Sequence, residues 1–400
     1  MDFYRHLVRG SGVGRPVTFA LIYALSIVFT LQHLLTAYSS STYLELFLPE
    51  HLVGFVFSLG AAGAAVLTLL LPRILQPLGN VATVLLLMLI ITVALLLTGL
   101  APTAEIALIA FVIYLIASPQ IYLNIDVFLE ALIGNNEGTT GSRRGLILTI
   151  MSTAAFFSPL LMGFIIGTEN RLYALYYVSA AIGLLFIALI IARFRHFSDP
   201  PYKVATLRGM WLEVKSNTNI KTVLTSHFLL QLFYAWAVIY IPLFLATELG
   251  FSWQSEISLI IAAGLLAFAL FEYPIGLLAD RHWGEKEMMA VGFVVLALSM
   301  AAISLMTGVG VLGWMILMFI SRFGASLVEV TTESYFFKQT QEDQPHLMSL
   351  FRLMRPLANL AGATLGSLSL WLLPFSYIFL VLAAVMALGA FITQALVDTK

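Results

Sequence analysis

Apolar runs of membrane-spanning length follow one another along almost the whole chain, as in "VATVLLLMLIITVALLLTGL" at 81–100. Crossing a hydrocarbon layer of about 30 Å takes roughly 20 such residues in a helix. Polar punctuation divides the sequence into twelve runs, at 17–38, 51–71, 81–100, 106–131, 145–167, 172–193, 222–246, 256–278, 288–306, 311–336, 346–371 and 375–396. Lipid offers no hydrogen-bond partner, so each run must satisfy its own backbone. Without the short alternating pattern of barrel strands, helices are the remaining solution. Sixty per cent of residues are hydrophobic, only 10% are charged, and the mean hydropathy is +0.97, which excludes an ordinary soluble domain. The expectation is an all-α polytopic membrane protein embedded in a lipid bilayer.

Cations test the count. With the N-terminus inside, sixteen of the 20 Lys and Arg residues fall in cytoplasmic segments, Arg171 alone falls in an outer loop, and Arg322, Arg352 and Arg355 fall within spans. This asymmetry is the one the positive-inside rule requires, and it places both termini in the cytoplasm of a bacterial plasma (inner) membrane protein. A net charge of -1 gives no basic surface for nucleic acid. The absence of cysteine excludes disulfides and thiolate chemistry. The basic N-terminus runs into an apolar stretch too long for a cleaved signal, so it is expected to stay as the first span.

The longest polar stretch, "RFRHFSDPPYKVATLRGMWLEVKSNTNIK" at 193–221, separates the sixth and seventh runs. Its Pro200-Pro201 pair breaks any entering helix, and a short amphipathic helix is expected around Met210 to Lys215. Landmarks recur across it: Asp126 and Glu130 reappear as Glu329 and Glu333, and Gly163 as Gly366, each 203 residues on. The domain reading is therefore a six-helix bundle over 1–193, a linker over 194–221 and a second bundle over 222–400. Duplicated halves of this kind place a solute site between them near the bilayer midplane.

The loop after the eighth run, Gly276-Leu-Leu-Ala-Asp280-Arg281-His-Trp-Gly284-Glu285-Lys286, resembles the G-x-L-a-D-r-x-G-r-k signature of the major facilitator superfamily. The resemblance covers the whole chain in topology, linker and repeat. It implies a transporter in which two pseudo-symmetric bundles rock about a shared small-molecule substrate, as a monomer and with no cofactor. It also implies a latch in which Asp280 meets the start of the fifth helix near Arg143 and Arg144. The plainer alternative keeps Arg281 and Lys286 for orientation alone. Two departures matter: the matching loop in the first half, "LPRILQPLGN", has Leu75 where the signature aspartate falls, and the fourth run lacks the family's membrane arginine.

Charges inside the runs supply the remaining candidates. Asp126 and Glu130 share one helical face, as do Glu329 and Glu333. Two carboxylates about 6 Å apart repel by about 3 kcal/mol at an effective dielectric near 20. One reading has them carry protons; the other has Arg143, Arg144, Arg352 and Arg355 neutralise them in a structural network with Glu272 at similar depth, and the two are compatible if that network breaks as a gate opens. Arg322 sits near the midplane, where an arginine costs roughly 2.5 to 3.5 kcal/mol. It pairs with Glu248, Glu272 or a carbonyl, or else it contacts solute. Arg355, Asn359, Gln32, His33, Tyr114, Gln120, Gln231 and Tyr234 are further candidates for a substrate site, each with an ordinary interhelical hydrogen bond as its alternative.

A secondary active transporter drawing on protons is the leading reading. The sequence holds no G-x-x-x-x-G-K-[ST] loop for direct ATP use. A polytopic membrane enzyme acting on a lipid-like substrate, or a non-transporting receptor or scaffold of the same fold, are the competing classes.

Overall fold

The computed structural model is all-helical and describes residues 17–133, 137–202, 204–281, 284–306, 308–340 and 345–397, with the side chains of 137–145, 216, 280–281 and 345 outside that description. In chain order, the first half carries α1 (Phe19–Ala37), the short α2 (Ser40–Leu44), α3 (Glu50–Leu100), α4 (Ala104–Ile133), α5 (Glu137–Ile166) and α6 (Leu172–Arg193). A linker helix α7 (Leu207–Ser216) follows. The second half carries α8 (Thr218–Thr247), a π turn (Trp253–Ile257), α9 (Ser258–Arg281), α10 (Glu285–Leu305), α11 (Val311–Gln339), α12 (Pro345–Leu372) and α13 (Phe375–Ile392).

Among the described residues, ten helices are long and apolar enough to cross a membrane. Helix α3 is a special case, because its 51 residues would extend about 76 Å, more than twice the hydrocarbon thickness. The backbone leaves the helical region inside it at Gly79 (φ 75, ψ 166). The expectation of two runs, 51–71 and 81–100, joined by a loop is thereby corrected: residues 72–78 stay helical and one glycine makes the whole break. A side chain would be strained at that φ. Helix α12 has the length of a span but is more polar than the ten, since it carries Arg352 and Arg355.

Burial follows the membrane rather than a water-facing globule. Phe164, Leu305, Phe391 and Tyr273 stand fully out from the bundle, as lipid-facing side chains must in a multi-pass integral membrane protein. By contrast α8 is enclosed, with 83% of its most apolar window buried against 33% for the span Leu146–Ile166. Trp236, Phe233 and Tyr240 of α8 are all fully buried.

The halves meet chiefly through α3 with α12 and α5 with α9, with smaller contacts of α2 on α8 and of α5 on the π turn. On the side away from the linker these contacts are tight. Ser58 and Thr364 share a hydrogen bond of 2.9 Å between α3 and α12. Tyr240 donates to the Ala363 carbonyl at 2.7 Å and lies 3.3 Å from Ser367. Gly54 of the first half lies so close that a Cβ there would sit 1.9 Å from the Tyr240 hydroxyl and 2.6 Å from the Ala363 carbonyl. A methyl group therefore cannot enter unless the halves part.

Gly54→Ala should open this side, at a cost of about 1 to 3 kcal/mol to the closed contact. A single cysteine placed at Ser58, in a chain with none of its own, should label faster in the Gly54→Ala background. Equal labelling rates would show that the glycine contact does not hold the halves together.

Candidate functional site

Polar and aromatic side chains from both halves converge where the bundles meet. Helix α1 contributes His33, whose Nδ1 is 2.9 Å from the Tyr114 hydroxyl of α4; that hydroxyl is also 3.0 Å from Thr36. The imidazole stacks on Phe29 at 6.0 Å and meets Tyr122 edge-on at 5.8 Å. Arg355 of α12 crosses the interface, and its guanidinium carbon is 5.9 Å from the centre of the Tyr122 ring. Such a cation–π contact is worth about 0.5 to 2 kcal/mol, depending on its desolvation.

Helix α11 presents Arg322, Glu329 and Glu333 on one face, because spacings of seven and eleven residues return to nearly the same azimuth. Tyr234 of α8 donates to Glu329 at 2.6 Å. Its neighbour Phe233 carries Arg322, whose guanidinium carbon is 5.0 Å from the ring centre. Tyr38, at the end of α1, lies close enough to Arg322 to feel its charge. Glu272 of α9 accepts a hydrogen bond of 2.9 Å from Ser152 of α5, again across the halves. Glu272 feels the charges of Glu329 and Glu333, while Glu329 feels that of Arg355.

His33, Tyr114, Tyr234, Glu272, Glu329, Arg322 and Arg355 are thus brought to one region. Asn359 lies one turn beyond Arg355, partly buried. Other candidates are placed elsewhere. Gln32 is fully buried inside the first bundle, near Gly183 of α6. Gln120 is committed to α3, donating to the Ala64 carbonyl at 3.2 Å and bonding Thr68. Gln231 is buried with no partner for its carbonyl oxygen. Among the described residues, no ion pair joins Arg322 to Glu272 or Glu248, the two carboxylates expected as partners, and Glu272 accepts from Ser152 instead.

On the linker side, Arg352 of α12 reaches Glu130 at 3.2 Å and Asp126 at 4.0 Å. All three side chains are one-third to one-half exposed, so the pairing adds at most about 1 kcal/mol and is easily broken. The side chains of Asp280, Arg281, Arg143 and Arg144 lie outside the described residues. Within the signature loop, Gly276 faces Val330, Gly284 caps α10, and Lys286 is partly buried. Glu285 is the buried member; it pairs with Lys338 of α11 and accepts from Ser334 at 3.1 Å.

The first-half loop, which lacks its aspartate, borrows one. Asp199 of the linker accepts from the Asn80 amide at 2.7 Å, just past the Gly79 break. Tyr202 donates to the same Asp199 oxygen at 2.5 Å, and Gln76 donates to the Tyr202 carbonyl at 3.3 Å. Burial and the adjacent carboxylate push the Tyr202 phenol well above its usual range, so it remains a donor. A Cβ at Gly79 would lie 2.4 Å from Asp199, so this glycine serves both the turn and the approach of the carboxylate.

Sequence reasoning missed Tyr38, Tyr122, Ser152 and Asp199. Tyr122 carried a usable signal, being an aromatic on the face of α4 that also bears Asp126. Ser152 and Asp199 carried none, because their roles depend on partners 120 and 119 residues away.

Comparison with known proteins agrees with this architecture. Residues 223–399 match the family model of the Major Facilitator Superfamily. No curated protein sequence matches the chain. Among solved structures, a POT family transporter in complex with 5-aminolevulinic acid superposes with a TM-score of 0.78 at 13% identity, covering 96% of this chain and 97% of that one. A point mutant of the nucleoside transporter NupG gives 0.76 at 14%, covering 94% and 99%. The POT family transporter PepTSo gives 0.75 at 13%, covering 94% and 96%. The resemblance read from the 276–286 loop therefore holds.

Removing the borrowed carboxylate should loosen the linker. Asp199→Ala should cost about 0.5 to 2 kcal/mol, as for loss of a helix N-cap, and should speed tryptic cleavage within the linker. Asp199→Asn should restore part of the protection; wild-type cleavage rates in Asp199→Ala would show that the contact holds nothing in place.

Proposed function

We propose that this chain, which carries the major facilitator fold, is a secondary active transporter moving a small solute by alternating access. In this reading twelve crossings form two six-helix bundles, with both termini and the linker in the bacterial cytoplasm. The carrying observation is the convergence of His33, Tyr114, Arg355, Tyr234, Glu329, Glu272 and Arg322 at the seam between the halves. Polar and charged groups inside membrane-spanning helices are costly, and they are sustained where they line a pathway.

Two sets of cross-half contacts bracket this seam. Gly54, Tyr240, Ser58 and Thr364 close the side away from the linker, while Arg352 with Glu130 and Asp126 ties the linker side. Alternating access breaks one set while keeping the other. The weak, half-exposed ion pairs suit a contact that must open in every cycle. We assign to the same linker-side set the latch that the loop signature implies between Asp280 and Arg143 or Arg144, with Gly276, Arg281, Gly284 and Lys286 as the other residues of that signature.

Protons are the proposed coupling partner, acting at Glu329 and Glu272. A proton on Glu329 removes its attraction for Arg355 and its repulsion of Glu272 in a single step. Protonation is thereby linked to the separation of α11 and α9 from α12. The solute is a small molecule, and the carrier acts as a monomer. Names of the structural neighbours do not transfer their solutes to this chain, because the likeness lies in fold.

The test is flux in proteoliposomes with and without an imposed pH gradient, using a solute found by thermal-shift screening. The gradient should accelerate net flux in the wild type. Glu329→Gln should lose that acceleration while still exchanging solute across the membrane; a full gradient response in this variant would remove Glu329 from the coupling path.

A further inference from the structure

Among the described residues, Arg322 is a buried charged group at the seam with an unpartnered polar atom. Its side chain is only 5% exposed, and its Nη1 nitrogen has no hydrogen-bond partner. Phe233 covers the guanidinium at 5.0 Å, and Tyr38 lies near it. No carboxylate of the described residues pairs with it. Glu272 is held by Ser152 and Glu329 by Tyr234, seven residues and about 10 Å further along α11. Removing one partner of a buried ion pair normally leaves a strongly unfavourable charge. Here the chain supplies a buried cation without its anion, in the region where a solute must pass.

We infer that the transported solute is a monocarboxylate with a flat aromatic or unsaturated body, whose carboxylate completes the hydrogen bonds of Arg322. This inference rests on the transporter reading and names the solute class of the same site. Guanidinium and carboxylate match in plane and charge, and their charge-assisted bonds are the strong ones. One guanidinium with one unfilled nitrogen fits a single negative charge. A dianion such as a phosphate monoester would need a second cation, and Arg355 lies instead over the Tyr122 ring. The ring of Phe233 beside the guanidinium gives the body of the solute an aromatic surface to lie against.

The experiment is equilibrium binding to purified full-length protein, by thermal shift and calorimetry, with benzoate, cinnamate and indole-3-acetate as probes. Benzamide serves as a neutral isostere, benzylamine as a cation and inorganic phosphate as a competing anion. At least one aryl carboxylate should bind saturably, and benzamide should bind about tenfold or more weakly. Arg322→Gln should abolish that preference, and Arg322→Lys should keep the charge but weaken binding. Without ligand, Arg322→Met should be at least as heat-stable as the wild type, because it removes an unpaired buried charge. A purely structural arginine would instead lower the melting temperature when replaced.

Equal binding of benzoate and benzamide, binding of phosphate alone, no binding by any carboxylate, or an unchanged preference in Arg322→Gln would each overturn the inference. Flux of a neutral or cationic solute with no carboxylate binding would refute this solute class and leave the transporter reading standing. Carboxylate binding with no flux would do the reverse.

Discussion

Hydrocarbon cannot hydrogen-bond, and the rest of the structure is arranged around that fact. Every backbone amide has to be satisfied within its own helix, so the chain can vary its interior only by choosing where helices break and where polar side chains face each other. The breaks are few and cheap: one glycine at position 79 turns a 51-residue helix. Some polar side chains, such as Gln32 and Gln120, are buried within a bundle, and others meet at the seam between the two. His33, Tyr122, Tyr234, Glu272, Arg322, Glu329 and Arg355 all gather there, while Phe164, Leu305 and Phe391 face lipid.

The two halves repeat a design without repeating its chemistry. Asp126 and Glu130 on α4 correspond in spacing to Glu329 and Glu333 on α11, yet the first pair reaches out to Arg352 while Glu329 is held inside by Tyr234. The acidic pair nearer water is suited to a contact that opens. The more enclosed pair is suited to chemistry that depends on who else is present. A similar divergence separates the loops: the second half keeps its own carboxylate at the start of α10, with Glu285 buried against Lys338, whereas the first half takes Asp199 from the linker.

Much of this was legible from hydropathy. The span 172–193 was placed to the residue, and the amphipathic linker helix was placed within three residues of its start, because lipid enforces length and the linker alternates faces. The segment between the runs 51–71 and 81–100 was read as a loop, whereas the helix continues through Pro72 and Pro77 to Gly79. Within the site, the buried charges announced themselves by their cost. Gln32 and Gln120 did not sort as well, because a polar residue in a span looks the same whether it faces the seam or a neighbouring helix of its own bundle. Only the packed structure separates Gln120, bonded to Ala64 and Thr68, from Tyr234, which faces Glu329.

The borrowed aspartate changes where the protein can be divided. A chain ending at Arg193 would keep all of α6 but strip the Asn80 amide of its acceptor, whereas one ending just after Tyr202 would carry the cap, the phenol and the Gln76 contact with it. The natural scissor point for expressing the bundles as separate polypeptides therefore lies downstream of the proline pair, and residues 199–202 travel with the N-terminal fragment.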